Sequence, residues 1–210
     1  MTLIPYQILT KSLMAMSPGS DRWGRVVRRL ESIWTSPYPE MVVGSWDPKT
    51  ATGQQVPSKL VWVRLDEFDM LDRRGIRYLF DIAAERLVAA YVISQGKNAV
   101  TRKGEPDDRL AGHPLHNSLL FDRGHTIAHT LGGGADINIV PQNSKVNRSG
   151  RKDLPTGFRT LERRAVETPG SLYFVRWLYN GATGGQQVPT SVEQGLLLPM
   201  RAPEVYTFAN

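Results

Sequence analysis

The chain contains no cysteine. That excludes disulfides, thiolate nucleophiles and cysteine-ligated zinc, and it leaves the compartment open. No stretch approaches the ~20 uninterrupted apolar residues that a membrane span requires. The opening segment, MTLIPYQILTKSLMAMS, carries Pro5 and Lys11 inside it. It therefore lacks the basic region and apolar run of a standard secretory signal. The expectation is a soluble protein, cytoplasmic or exported by a specialised secretion system, with no membrane span. Histidine is scarce: only four are present, His113, His116, His125 and His129. Imidazole chemistry is thereby confined to one short stretch.

What the chain does have is positive charge, +6 overall over 210 residues. Such a balance favours a polyanionic partner, although an anionic membrane surface or a merely basic surface satisfies it too. The distribution narrows the choice. Residues 143–176 hold eight Lys/Arg (Lys145, Arg148, Arg151, Lys152, Arg159, Arg163, Arg164, Arg176) against three acids (Asp153, Glu162, Glu167), a difference of +5. Most of the excess lies in one stretch, and nucleic acid, DNA and/or RNA, is the expected partner.

Periodicity divides the chain into an N-terminal helical extension and linker over 1–57 and a second unit over 58–210. Ser20 or Asp21 caps an expected helix to about Thr35, with Trp23, Val26, Val27, Leu30, Ile33 and Trp34 at helical spacing. Residues 35–57, rich in Pro, Gly, Ser and Thr, read as connection. Ser58–Leu65 alternates as a strand does. Tyr78–Ile82 and Leu87–Ile93 read as a hairpin, against a competing single helix encouraged by the helix formers of AAERLVAA. NSLLFDRGH reads as a strand ending at His125, Ile137–Val140 as a strand stopped by Pro141, and Ser171–Tyr179 as a further strand. Helices are expected from Asn143–Ser144 and over Phe158–Glu167, with Gly150, Pro155 and Gly157 between them. GQQVPS at 53–58 recurs as GQQVPT at 185–190, two similar loops rather than a repeat architecture.

Phosphodiester hydrolysis needs a base to activate water, a cation to neutralise developing charge, and donors to hold the backbone. Asp122-Arg123-Gly124-His125 supplies a histidine at a strand end with a guanidinium two residues away, and Gly124 permits close backbone approach. Asn138-Ile-Val-Pro-Gln142, followed by Asn147, supplies amide oxygens on the next strand and at a helix start. A hard ion such as magnesium needs only one or two such oxygens because it keeps several waters.

DRGH, a glycine-rich loop (Gly132-Gly133-Gly134), N-x-x-P-Q and a further asparagine nine residues after the first resemble the DNA/RNA non-specific endonucleases, which are ββα-metal, or His-Me finger, nucleases. The resemblance covers about residues 78–190. It implies an α+β fold with a ββα-metal core on a mainly antiparallel sheet, and sequence-nonspecific hydrolysis of DNA and/or RNA. It makes His125 the general base and Asn147 the protein ligand of Mg²⁺, for which Mn²⁺ can substitute. It places Arg123 at the phosphate and the Asn138–Gln142 segment behind the site. The family's aromatic-x-x-Leu-Glu pattern matches Phe158–Glu162, which assigns Glu162 to the water shell of the metal. Arg123, Arg148, Arg151, Lys152, Arg159 and Arg163 are the expected phosphate contacts. Domains of this kind often act as bacterial toxin effectors, which implies an inhibitor or immunity protein as a second partner.

Glu162 stands fifteen residues beyond Asn147, farther than one continuous helix of the family pattern allows. Its place on the apolar face made by Phe158, Leu161, Ala165 and Val166 calls for a partner, either a hydrated cation or a structural arginine. Two other readings stand beside the nuclease. HPLH and HTIAH have spacings that suit zinc, and a catalytically silent binding module on the same scaffold would share the basic stretch.

Overall fold

A computed structural model describes residues 5–17, 23–36, 43–46, 60–63, 75–98, 120–134, 137–149, 157–180 and 187–210. His113, His116, Arg151, Lys152 and the expected caps Ser20 and Asp21 lie outside them. Nine strands are described: β1 (Val43–Trp46), β2 (Leu60–Val63), β3 (Arg77–Asp81), β4 (Arg86–Ile93), β5 (Phe121–His125), β6 (Ile139–Asn143), β7 (Leu172–Leu178), β8 (Ser191–Leu197) and β9 (Glu204–Ala209). Seven form one sheet in the order β1-β2-β3-β4-β7-β8-β9, while β5 and β6 pair as a separate two-stranded sheet. Only β1–β2 is parallel; the other pairings are antiparallel. The α+β class and the mainly antiparallel sheet are as expected.

The large sheet is buried on both faces, and β7 shows how. Tyr173, Val175 and Trp177 join one cluster with Ile127, Leu131, Val140, Phe158, Leu161 and Ala165. Leu172 and Phe174, pointing the other way, join a second cluster with Tyr6, Leu9, Leu13, Val26, Leu30 and Trp34. The β5–β6 unit and its following helices thus cover one face, and the N-terminal helices cover the other. Strands covered on both faces read as continuous apolar runs, which is why LYFVRWL carries no clean alternation.

The N-terminal layer is a 3-10 turn over Pro5–Leu9 running into α1 (Thr10–Met14), then α2 (Gly24–Thr35). Neither the turn nor α1 was evident from the sequence, being too short for a periodic signal. Helix α2 buries Val26, Leu30, Ile33 and Trp34, the expected stripe, but starts after Trp23 without a side-chain cap. Its anchor is Trp34, fully buried, whose Nε1 donates to the Tyr6 hydroxyl at 3.1 Å. Tyr6 in turn donates to Glu193 on β8 at 2.5 Å, tying this layer to the sheet. Truncating a buried tryptophan to alanine costs about 3–5 kcal/mol. Among the described residues no helix is long and apolar enough to cross a membrane.

Three local expectations need correction. Strand β1 falls within 35–57, the segment read as connection, because a four-residue strand is masked by turn-forming neighbours. Strand β6 begins at Ile139 and runs through Pro141 to Asn143. Pro141 is tolerated because its carbonyl faces away from β5, so the missing N–H falls on the side where no partner strand pairs. Beyond the 185–190 loop, where the sequence sets no strand bounds, β8 and β9 complete the sheet edge. The hairpin reading of 77–93 holds, with β3 antiparallel to β4.

Candidate active site

The centre is a hairpin followed at once by a helix. β5 pairs with β6 so that Phe121 faces Asn143 and His125 faces Ile139. Directly after β6 comes α3 (Ser144–Asn147), capped by Asn143, whose side chain accepts from the Lys145 N–H at 2.9 Å. Gly124 is required here. A Cβ at that position would lie 2.2 Å from Gln142 Oε1, so the Gln142 side chain fits only against a bare backbone. His125 ends β5, the place expected for the base.

The turn leaving His125 is fixed by Asn138. Its Oδ1 accepts from Ile127 N at 2.7 Å, and its Nδ2 donates to the carbonyls of Ile127 and Gly134, both at 2.8 Å. It is fully buried, with its oxygen and both amide hydrogens engaged. Asn138 is therefore placed to hold the backbone after His125 and not to touch a substrate. Thr126, next to His125, accepts from Trp177 Nε1 at 2.9 Å and donates its own N–H to the Asn138 carbonyl at 2.9 Å.

Asp122 is the residue whose role the sequence reading left unassigned. Its carboxylate accepts from Ser144 Oγ at 2.9 Å, Asn147 Nδ2 at 2.9 Å, Arg148 Nε at 2.9 Å and Arg148 Nη2 at 2.6 Å. Ser144, Asn147 and Arg148 stand at i, i+3 and i+4, one face of a helical turn. That spacing opposite an aspartate on the adjacent strand was the available signal. Burial acts to raise the Asp122 pKa, but the donors from Arg148, Asn147 and Ser144 outweigh it and hold the carboxyl below its ordinary range. It is ionised at neutral pH. An ionised carboxylate only accepts, so Asn147 must present its NH₂ to Asp122 and turn its Oδ1 away.

The gap between Asn147 and Glu162 has a structural answer. α4 (Phe158–Glu167) abuts the end of α3. Phe158 N donates to Ser149 Oγ at 3.0 Å, Arg159 N to the Ser149 carbonyl at 3.0 Å, and Arg159 Nε to the Asn147 carbonyl at 2.9 Å. The two helices are spliced by hydrogen bonds around the intervening residues, so the sequence distance overstates the spatial one. Burial pushes the Glu162 carboxyl up to about 8, opposed by the charge of Arg159. Among the described residues no hydrogen bond or ion pair to Glu162 is seen, and Arg159 is the charge that acts on it.

The basic residues divide. Arg123 lies half-buried on β5. Arg148 is 67% exposed yet bound bidentately to Asp122. Arg159 is committed to Asn147, and Arg164 donates to Glu204 on β9 at 2.7 and 2.8 Å. Arg163 is half-buried on α4. Two of the four histidines of the zinc alternative, His113 and His116, lie outside the described residues, and among the described residues no group of three or more His, Asp or Glu is placed to hold a metal.

No family model matches the chain, and no curated protein matches it. Among solved structures it is similar to the crystal structure of NucA from Streptococcus agalactiae with no metal bound, at 21% identity and a TM-score of 0.42. The match covers 58% of this chain and 63% of that one, less than two thirds of its length. The likeness is distant.

Proposed function

We propose that the protein is a sequence-nonspecific, metal-dependent endonuclease acting on DNA and/or RNA. The observation that carries this reading is the Asp122–Asn147 pair, which holds a neutral amide oxygen outward at the junction of hairpin and helix. The Asn147 amide oxygen and, on the spliced helix, the Glu162 carboxyl would be oxygen donors. Such a set fits Mg²⁺ or Mn²⁺ and is poor for softer ions. Asn147 would hold the ion directly and Glu162 would hold its waters. Bound there, the ion supplies charge neutralisation at the scissile phosphate and the leaving oxygen.

The remaining work belongs to the chain. His125 takes the proton from the attacking water, in a position set by the Asn138 clamp on the following turn. His125 closes β5, and Asn147 ends the helix that follows β6 directly, so both belong to one hairpin–helix unit. Arg123 and Arg163 meet phosphates, which carry no sequence information.

Nicking of a supercoiled plasmid with and without Mg²⁺ tests the proposal. Cleavage that EDTA stops and Mg²⁺ or Mn²⁺ restores is the expected result. His125→Ala should lower kcat by about 10²–10⁴ with little change in nucleic-acid affinity. Metal-dependent binding without cleavage by the wild type would instead identify a silent module.

A further inference from the structure

The carboxamide of Asn210 occupies the outer edge of β6 as a strand residue would. Its Oδ1 accepts from Asn143 N at 2.8 Å, and its Nδ2 donates to the Pro141 carbonyl at 3.1 Å. These two backbone groups flank Gln142 and face away from β5, so one side chain satisfies both sides of a missing ladder rung. The same Nδ2 donates to the Pro189 carbonyl at 2.8 Å, and the Asn210 backbone N–H donates to the Thr190 carbonyl at 2.9 Å. Pro189 and Thr190 lead into β8. A single residue thus joins the edge of the two-stranded sheet to the edge of the seven-stranded one. The amide orientation is fixed by its partners, because carbonyls demand the NH₂ and an N–H demands the oxygen.

Asn143 is also the N-cap of α3, whose last residue is Asn147. From these contacts we infer that Asn210 is a positioning residue for the metal-holding turn: it fixes the start of α3 and, through it, the direction of the Asn147 amide. The inference rests on the nuclease reading above. Groups that orient a ligand from behind usually change metal affinity by about 10–100-fold when removed.

The test is a Mn²⁺ titration of the wild type and Asn210→Ala without nucleic acid, read from the paramagnetic resonance of the free ion. It is paired with the Mg²⁺ dependence of plasmid nicking. Asn210→Ala should bind Mn²⁺ about tenfold more weakly, and the Mg²⁺ needed for half-maximal nicking should rise by the same factor. The rate at saturating metal should return towards wild type. Thr207→Ala, an exposed change on β9, the strand that precedes Asn210, should alter neither quantity. Unchanged Mn²⁺ affinity in Asn210→Ala overturns the inference, as does a lower saturated rate at an unchanged metal requirement, since a purely structural brace gives that pattern. A wild type that neither binds Mn²⁺ nor nicks DNA or RNA is the separate outcome in which the nuclease reading fails and takes this inference with it.

Discussion

Asn147 Nδ2 lies 2.9 Å from Asp122 Oδ2, and this contact decides which way the Asn147 amide faces. The carboxylate acts as a template: it cannot donate, so the Asn147 amide turns its NH₂ toward it and its oxygen away. Arg148 and Ser144 share the same carboxylate, which keeps it charged and still.

In the proposed mechanism, replacing Asp122 should weaken metal binding without touching either proposed ligand. In Asp122→Ala, Asn147 is free to rotate. Metal affinity should fall by about 10–100-fold, and the lost hydrogen bonds should cost about 1–3 kcal/mol of stability. Mn²⁺ titration and thermal unfolding of the same preparation measure both. Wild-type metal affinity in this variant would show that Asn147 is oriented by something other than Asp122.

Arg159 and Arg163 stand four residues apart on α4 and should behave differently. Affinity for nucleic acid falls with salt in proportion to the phosphate contacts made. Arg163→Glu should flatten that salt dependence for any sequence and leave the metal requirement alone. Arg159 Nε is spent on the Asn147 carbonyl, so Arg159→Ala should raise the Mg²⁺ requirement and change the salt slope little. Filter binding across a salt series, combined with Mg²⁺ titration of nicking, separates the two. Identical behaviour would mean that the Asn147 contact is not maintained when substrate binds.

The sequence marked the residues of this candidate site more fully than their support. DRGH, Asn138 and Asn147 stood out by residue type and spacing, and they fall on or beside the adjacent elements β5, β6 and α3. Asp122 was part of the motif, but its contacts depend on a helical turn 22 to 26 positions along the chain, and the pairing of β5 with β6 brings that turn to it. Asn138 was expected behind the site, but the backbone groups that take up its amide are revealed by no periodicity. Strands β8 and β9 were missed because SVEQGLL mixes polar residues on a face that packs against α4. Gln194, for example, is fully buried and donates to the Phe158 carbonyl and the Tyr173 hydroxyl.

A pH effect on stability follows from Arg164 and Glu204, which join α4 to β9. Hydrogen bonding from Arg164 lowers the Glu204 pKa, against a smaller rise from burial. A carboxyl depressed on folding contributes stability that is present above its unfolded value, about 4.3, and lost as pH falls through the lower folded value. Both side chains are about one-third exposed, so the contribution is that of a screened pair, about 0.2–1 kcal/mol. Glu204→Gln should lower the melting temperature slightly at pH 7 and leave it unchanged well below the folded pKa. An equal loss at both extremes of pH would assign the effect to packing.

Glu162 offers the sharpest choice between the two partners considered for it. A buried carboxyl held by an arginine is expensive to neutralise, since the stranded cation costs about 3–5 kcal/mol. No such arginine reaches Glu162 among the described residues, and Arg159 acts on it only through its field while bonding to Asn147. Glu162→Gln keeps the shape and hydrogen bonding while removing the charge that draws a hydrated cation. Without metal, its melting temperature should equal or exceed that of the wild type, because an unfavourably buried acid has been removed. With metal, nicking should fall and excess Mg²⁺ should restore part of it. A large fall in metal-free melting temperature with no rescue by Mg²⁺ would place Glu162 in a structural ion pair and leave Asn147 as the sole direct ligand in the mechanism.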